Sequence, residues 1–250
     1  MAVRRFLIVG LVLISNLVLA QPQEIITKKG KLTIHPVLHS SMVLEWNGQT
    51  IYVDPYGGKE KYESFADPTL VIITDIHGDH MNKETLQNLN TSNATLLAPK
   101  AVTDQMEDIQ FSSIKSLANG EKLSWEDISF EAIPMYNLPE TEDSRHPKGR
   151  GNGYIISVGG KRLYISGDTE DIEEMRNLKK IDIAFVCMNL PYTMDINQAA
   201  DAVLAFKPKV VYPFHYRGGG GKFSDTEAFK ALVNKGNDKI EVRLLDWYAN

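Results

Sequence analysis

"IITDIHGDHMN", residues 72–82, decides how the rest of the chain reads. An unbroken apolar run, TLVIIT at 69–74, leads into it and suits a strand buried on both faces. A stretch of helical character, NKETLQNLN at 82–90, leads out of it. Asp75, His77, Asp79 and His80 are therefore expected on the turn at the C-terminal end of a strand. Residues two apart on extended backbone point the same way, so Asp75 and His77 converge on one point. Gly78 offers a place to turn, which aims Asp79 and His80 at a second point nearby. Imidazole and carboxylate together suit Zn²⁺, with Mn²⁺ or Fe as alternatives. The competing role, Asp79 as a helix cap beside two surface histidines, accounts less well for four ligand-type residues within the six positions 75–80.

The remainder of the 250-residue chain has an ordinary globular composition, 43% hydrophobic and 24% charged. Its first 20 residues differ. Arg4 and Arg5 precede an apolar stretch from Phe6 to Ala20, which ends Val18-Leu19-Ala20. That stretch is short for a membrane span, so residues 1–20 read as a secretory signal, with an uncleaved anchor as the alternative. A periplasmic or secreted protein is expected, with residues 21–250 as a single domain. Loss of Arg4 and Arg5 with the signal leaves 25 basic and 32 acidic residues, a formal charge of −7. Nothing forms a basic stripe, which argues against a nucleic-acid partner. Cys187 is the only cysteine, so no intramolecular disulfide forms, and its apolar setting, IDIAFVCMN, predicts a buried, inert thiol.

Strand patterns recur in two runs. KLTIHPV, SMVLEW and QTIYVDP open the first, the last two joined by Asn47-Gly48, a strong hairpin signal. TLVIIT and ATLLAP follow, with a short helix after Pro99. In the second run ISFEAIP, GYIISV, KRLYIS, IDIAFV, KVVYP and IEVRLL read as strands. Ile196, Ala199, Ala200, Val203 and Leu204 lie at helical spacing, and Pro208 ends that helix. A last helix begins at SDTE, with Ser224 and Glu227 in capping-box register, and ends on Gly236. Two sheets packed face to face with helices outside is the layered solution for this pattern. Residues 137–153, polar and rich in Pro and Gly, read as a long loop at the mouth of a site.

DIHGDH resembles the HxHxDH signature of the metallo-β-lactamase superfamily, matched at His77, Asp79 and His80 with Asp75 in place of the first histidine. Further landmarks follow in order: RHPKGRGNGYIIS with His146, LYISGDTED with Asp168, and VVYPFHYRG with His215. The early LHSSMVLEWNGQTIYVDP resembles the opening hairpin of the branch that includes L-ascorbate-6-phosphate lactonase-like proteins. The resemblance spans roughly residues 30–248 and implies an α+β fold, a four-layer αββα sandwich of two mixed sheets. It also implies a hydrolase with two zinc ions. Asp75, His77 and His146 would hold the first, Asp79, His80 and His215 the second, and Asp168 would bridge them. Catalysis would fall to His77, Asp79 and His80, with a metal-bound hydroxide attacking an ester, lactone, amide or phosphodiester. A metal-binding protein that is mononuclear or has lost its chemistry is the alternative, and Asp75 is the residue that motivates it.

Other residues are expected near that centre. His39 could lie beside the metal pocket, and Asp54 could accept a hydrogen bond from a ligand histidine. Tyr136, Asn137 and Arg150, on the mouth loop, could meet a small-molecule substrate, as could Arg217. His35, inside a strand, reads as structural. RGGGGK at 217–222 departs from the phosphate-loop template, because Phe223 follows Lys222, and reads as a flexible loop beside the site.

Overall fold

A computed structural model describes residues 21–249; the expected signal at 1–20 lies outside the described residues. The fold is two mixed seven-stranded sheets, each following the order of the chain. The first holds β1 (Gln23–Thr27), β2 (Gly30–Leu38), β3 (Ser41–Trp46), β4 (Gln49–Val53), β5 (Leu70–Ile72), β6 (Thr95–Ala98) and β7 (Ser113–Ser116). The second holds β8 (Lys122–Trp125), β9 (Ile128–Met135), β10 (Gly151–Val158), β11 (Lys161–Ile165), β12 (Ile183–Cys187), β13 (Val210–Phe214) and β14 (Glu241–Val242). Each sheet begins with four strands in an antiparallel meander and ends with parallel additions: β4 to β7 in one, β11 to β14 in the other. The two halves thus repeat one plan.

The period-two alternation of side chains explains the layering. Met42, Leu44, Ile51, Val53, Leu70 and Ile72 join the core shared with the second sheet. Their alternates Val43, Tyr52, Val71 and Ile73 instead pack with Leu86 and Val102, on the short helices α1 (Lys83–Asn88) and α2 (Lys100–Thr103). On the second half lie α3 (Glu173–Arg176), α4 (Ile196–Phe206) and α5 (Thr226–Gly236). Ala199, Ala200 and Val203 of α4 and Phe229 and Val233 of α5 are buried in the main core. The expected αββα sandwich is the architecture found. Among the described residues, no helix is long and apolar enough to cross a membrane.

Several local expectations need correction. Asp225, not Ser224, caps α5, accepting from Ala228 N at 2.9 Å, while the Ser224 hydroxyl donates to Met188 O. The better capping box lies on α4, where Asp195 and Gln198 exchange hydrogen bonds. The closing strand is only two residues long, and Gly151–Gly153 belong to β10 rather than to the mouth loop. β1, β7 and β8 were not anticipated.

Candidate metal centre

The chain leaves β5 through the buried Thr74 and Asp75, then turns tightly: the amides of His80 and Met81 both donate to His77 O. This turn separates the direction of His80 from that of Asp75 and His77. Glycine is not required for it, because Gly78 has no positive φ and a Cβ there would meet nothing within 4 Å. The N-cap of α1 is Asn82, which accepts from Thr85 N at 2.9 Å, so Asp79 has no capping duty.

Three sets of ligand-type atoms gather at this end of the sandwich, each set within 4.8 Å: Asp75 with His77 and His146, His80 with Asp168 and His215, and His39 with Asp79 and His215. Asp168 lies between them. Its Oδ2 is 3.3 Å from both His80 Nε2 and His146 Nε2, and its Oδ1 is 3.4 Å from His215 Nε2. Asp79 Oδ2 is 3.3 Å from His215 Nε2. The seven residues singled out as ligands in the sequence are therefore brought together in one cluster, with Asp79 grouped with His39 and His215.

Most of these residues emerge from the C-terminal ends of parallel strands: Asp54 after β4, Asp75 to His80 after β5, Asp168 after β11, Asn189 after β12 and His215 after β13. An outer ring of hydrogen bonds then fixes their orientation. His80 Nδ1–H donates to Asp54 Oδ2 at 2.7 Å, and the Thr74 amide and hydroxyl donate to the same carboxylate at 2.8 and 2.7 Å. His146 Nδ1–H donates to Asn137 Oδ1 at 3.0 Å. Both imidazoles are thus left with Nε2 facing inward, as such partners do for metal-binding histidines. His215 Nδ1 is 3.3 Å from His39 Nδ1, and the His215 amide donates to His39 O. His39, Asp54 and His215 all have left-handed backbone, at φ 55, 44 and 45. Such strained residues persist where the surroundings over-determine them, and they cluster at functional sites.

The electrostatics suit a cation. Burial alone would raise the Asp168 carboxyl, yet His215 and His80 outweigh it and hold that group well below the ordinary carboxylate range. Burial likewise opposes charge on His80, but Asp168 and Asp54 raise its pKa well above that of a free imidazole. The same acidic field attracts a metal ion. A fit is also written in the unpartnered atoms: His80 Nε2, His146 Nε2 and Asp168 Oδ1 are buried without a hydrogen bond. Buried polar atoms seldom go unpaired; these three all belong to the ligand sets, and their chemistry fits zinc or a similar divalent ion.

A cleft of about 410 Å³ opens over His39, Asp79, Asp168 and His215. Its lining includes Arg217, as expected, and also Arg145, Tyr192 and the buried Asn189, whose Nδ2 lies 3.3 Å from His215 Nε2; no local pattern in the sequence singles these three out. Arg145 stacks on Tyr192 at 4.3 Å and Arg217 on Tyr248 at 4.9 Å, each to the ring centroid. The mouth-loop residues are placed otherwise. The hydroxyl of the buried Tyr136 donates to Glu174 Oε2 at 2.8 Å, Asn137 supports His146, and Arg150 grips Asp75. None of the three lines the cleft. His35 pairs with Glu45 within the first sheet. Cys187 is fully buried, and its thiol is pushed up to about 11, chiefly by that burial.

Comparison with known proteins gives the family and the fold. The family model described as the beta-lactamase superfamily domain matches residues 33–215. The UPF0173 metal-dependent hydrolase of Staphylococcus carnosus is 30% identical over 222 residues, 84% of this chain and 95% of that protein. Among solved structures, a protein of Parabacteroides distasonis provisionally named a metal-dependent hydrolase is 36% identical, with a TM-score of 0.76 over 90% of this chain and 98% of the other. The metallo hydrolase Igni18 of Ignicoccus hospitalis is 25% identical, with a TM-score of 0.72 over 85% of this chain and 94% of its own.

Proposed function

This chain belongs to the beta-lactamase superfamily, and from that membership we propose that it is an exported metal-dependent hydrolase with a two-cation zinc centre. The observation that carries the reading is the convergence of Asp75, His77 and His146 beside His80, Asp168 and His215, with the buried Nε2 atoms of His80 and His146 left without a hydrogen bond. Export is supported by the sequence alone, through Arg4, Arg5 and the apolar stretch after them.

Divalent cations in such a site lower the pKa of a coordinated water toward about 7 and polarise the oxygen of the bond attacked. The chain's own residues do the rest. Asp168 spans both ligand sets and fixes their spacing. The Asp79 side chain is 33% exposed at the floor of the cleft. Burial raises its carboxyl, but the His215 hydrogen bond and the charge of His80 more than reverse this, so it stays ionised and can accept a hydrogen bond from the attacking water. His39 is held neutral, its pKa lowered to about 3 by burial and then by His215 and Arg217, so it orients His215 without adding charge.

The cleft volume is that of a small-molecule site. Arg145 and Arg217 both reach its rim, and neither forms an ion pair among the described residues. Two guanidiniums without carboxylate partners favour a substrate with an anionic group, which they would hold while an ester, lactone, amide or phosphodiester bond lies over Asp79.

The test is bound metal and hydrolysis of an ester, lactone and phosphodiester panel, for the wild type and for Asp79→Ala and His77→Ala. The expected result is loss of turnover in both and loss of metal in His77→Ala. Unchanged metal and activity in both variants would overturn the reading, while bound metal without any turnover in the wild type would favour a metal-binding protein without chemistry.

A further inference from the structure

Asp75 stands where the superfamily pattern has a histidine, and it is completely buried. Both of its oxygens are engaged by one residue: Arg150 Nε–H donates to Oδ1 at 3.2 Å and Nη2–H to Oδ2 at 3.0 Å. The same Oδ2 lies 2.7 Å from His77 Nδ1 and 4.0 Å from His146 Nε2, so it keeps its place in the ligand set. Arg150 is delivered there by backbone. The Asn152 amide donates to Thr74 O at 2.9 Å, which ties the start of β10 to the residue before Asp75. Gly151 allows that approach, since a Cβ there would fall 2.9 Å from Thr74 O and 2.5 Å from Met135 Cε.

A lone carboxylate at position 75 would add a negative charge to a ligand set that already shares Asp168. A partly buried, two-armed guanidinium cancels that charge and fixes the carboxylate plane, a task that lysine's single ammonium performs less well. We propose that Asp75 and Arg150 act as one neutral ligand unit, in which the carboxylate supplies the donor oxygen and the guanidinium returns the set to the net charge of the histidine it replaces. Arg150 is in this sense a positioning residue, acting through Asp75. The inference rests on the proposed reading of Asp75, His77 and His146 as cation ligands.

A double-mutant cycle read out as metal affinity tests the unit. Zn²⁺ is titrated calorimetrically into metal-free protein, with Co²⁺ absorption to count the sites, for the wild type, Asp75→His, Arg150→Gln and the double variant. Asp75→His alone leaves the guanidinium uncompensated beside His77, 3.5 Å from its Nε2, and weakens the first set by about tenfold or more. Arg150→Gln alone releases the carboxylate plane and weakens it by about tenfold, so independent effects would sum to about a hundredfold in the double variant. In the double variant affinity returns to within about threefold of wild type, a non-additivity that independent residues do not show. An equal effect of Asp75→His in both backgrounds overturns the proposal. If Arg150→Gln does not fold, Arg150→Lys replaces it in the cycle: the charge is kept and only the two-armed grip is lost, so Asp75→His weakens the first set by about tenfold in that background too, and no weakening there overturns the proposal. The set of His80, Asp168 and His215 is the internal control. Its failure to bind any cation in the wild type would defeat the metal reading itself, whereas binding there with additive effects at the first set defeats only the pairing.

Discussion

Asp54 Oδ2 lies 2.7 Å from His80 Nδ1, although the two residues end different strands, β4 and the loop beyond β5. Neither is accessible to solvent. Asp54 also takes the Thr74 amide and hydroxyl, so one carboxylate fixes both the ring and the backbone from which the ligands spring. Asp54→Ala is expected to weaken the second ligand set by about 10–100-fold, measured by Zn²⁺ calorimetry. It strands three buried donors, so thermal unfolding should report a loss of at least about 2 kcal/mol. Wild-type affinity in the variant would refute the orienting role.

Asn137 and Tyr136 are sequence neighbours with opposite expected outcomes. Asn137→Ala frees the His146 ring and should weaken the first set by about tenfold. Tyr136→Phe removes only the hydroxyl bound to Glu174 and should cost about 1 kcal/mol of stability, with metal content and KM unchanged. A changed KM in Tyr136→Phe would return that residue to the substrate-binding role read from the sequence.

Two glycines near the centre should behave very differently. A Cβ on Gly153 would fall 2.8 Å from Ser166 O and 2.9 Å from Ile165 O, backbone atoms that cannot step aside singly. Gly153→Ala should therefore destabilise by roughly 1–3 kcal/mol in urea unfolding. Gly78→Ala, inside the motif itself, meets open space and should change stability by no more than about 1 kcal/mol.

Cation binding should depend on pH with a defined sign. The folded protein holds a proton on His80 more tightly than a free imidazole does, and a ligating nitrogen must give it up. Affinity should rise with pH, and binding should release protons, visible as a dependence of calorimetric heat on buffer ionisation enthalpy. Saturation at 100 times Kd should add about 2.7 kcal/mol of stability, and a chelator should remove it.

Cys187 offers a check on the core. Only the thiolate is nucleophilic, and this thiol is buried with its pKa pushed up to about 11. At pH 8 a chromogenic disulfide reagent should find no reactive thiol in the native protein and one per chain in guanidinium. Rapid native labelling would contradict the burial.

The strands of both cores were legible because period-two alternation and continuous apolar runs are local signals. β7 (SIKS) and β8 (KLSW) carry little of either, and β1 (QEIIT) leaves Ile26 exposed; ladder hydrogen bonds to their neighbours hold all three. At the centre, Asp75 to His80 announced themselves by density. His146, Asp168 and His215 became visible only through resemblance, since each stands alone in its segment. Asp54 takes the acceptor role expected of it, from three donors, and its left-handed backbone adds a turn before Pro55. Arg145, Asn189 and Tyr192 carry no local signal, and the partnership of Asp75 with Arg150 joins residues that no short motif can connect.

Each ligand set draws on both halves of the duplicated plan: Asp75 and His77 meet His146, and His80 meets Asp168 and His215. A bound cation is then a staple between the halves. His77 to His146 closes a loop of about 70 residues and His80 to His215 one of about 135, lengths at which a covalent cross-link restrains an unfolded chain strongly. The only cysteine, Cys187, cannot provide such a link alone. A coordinate staple needs no oxidant, and acid or a chelator undoes it. A chain exported as proposed would therefore cross its membrane unlocked, and would be pinned shut by the metal it meets on the far side.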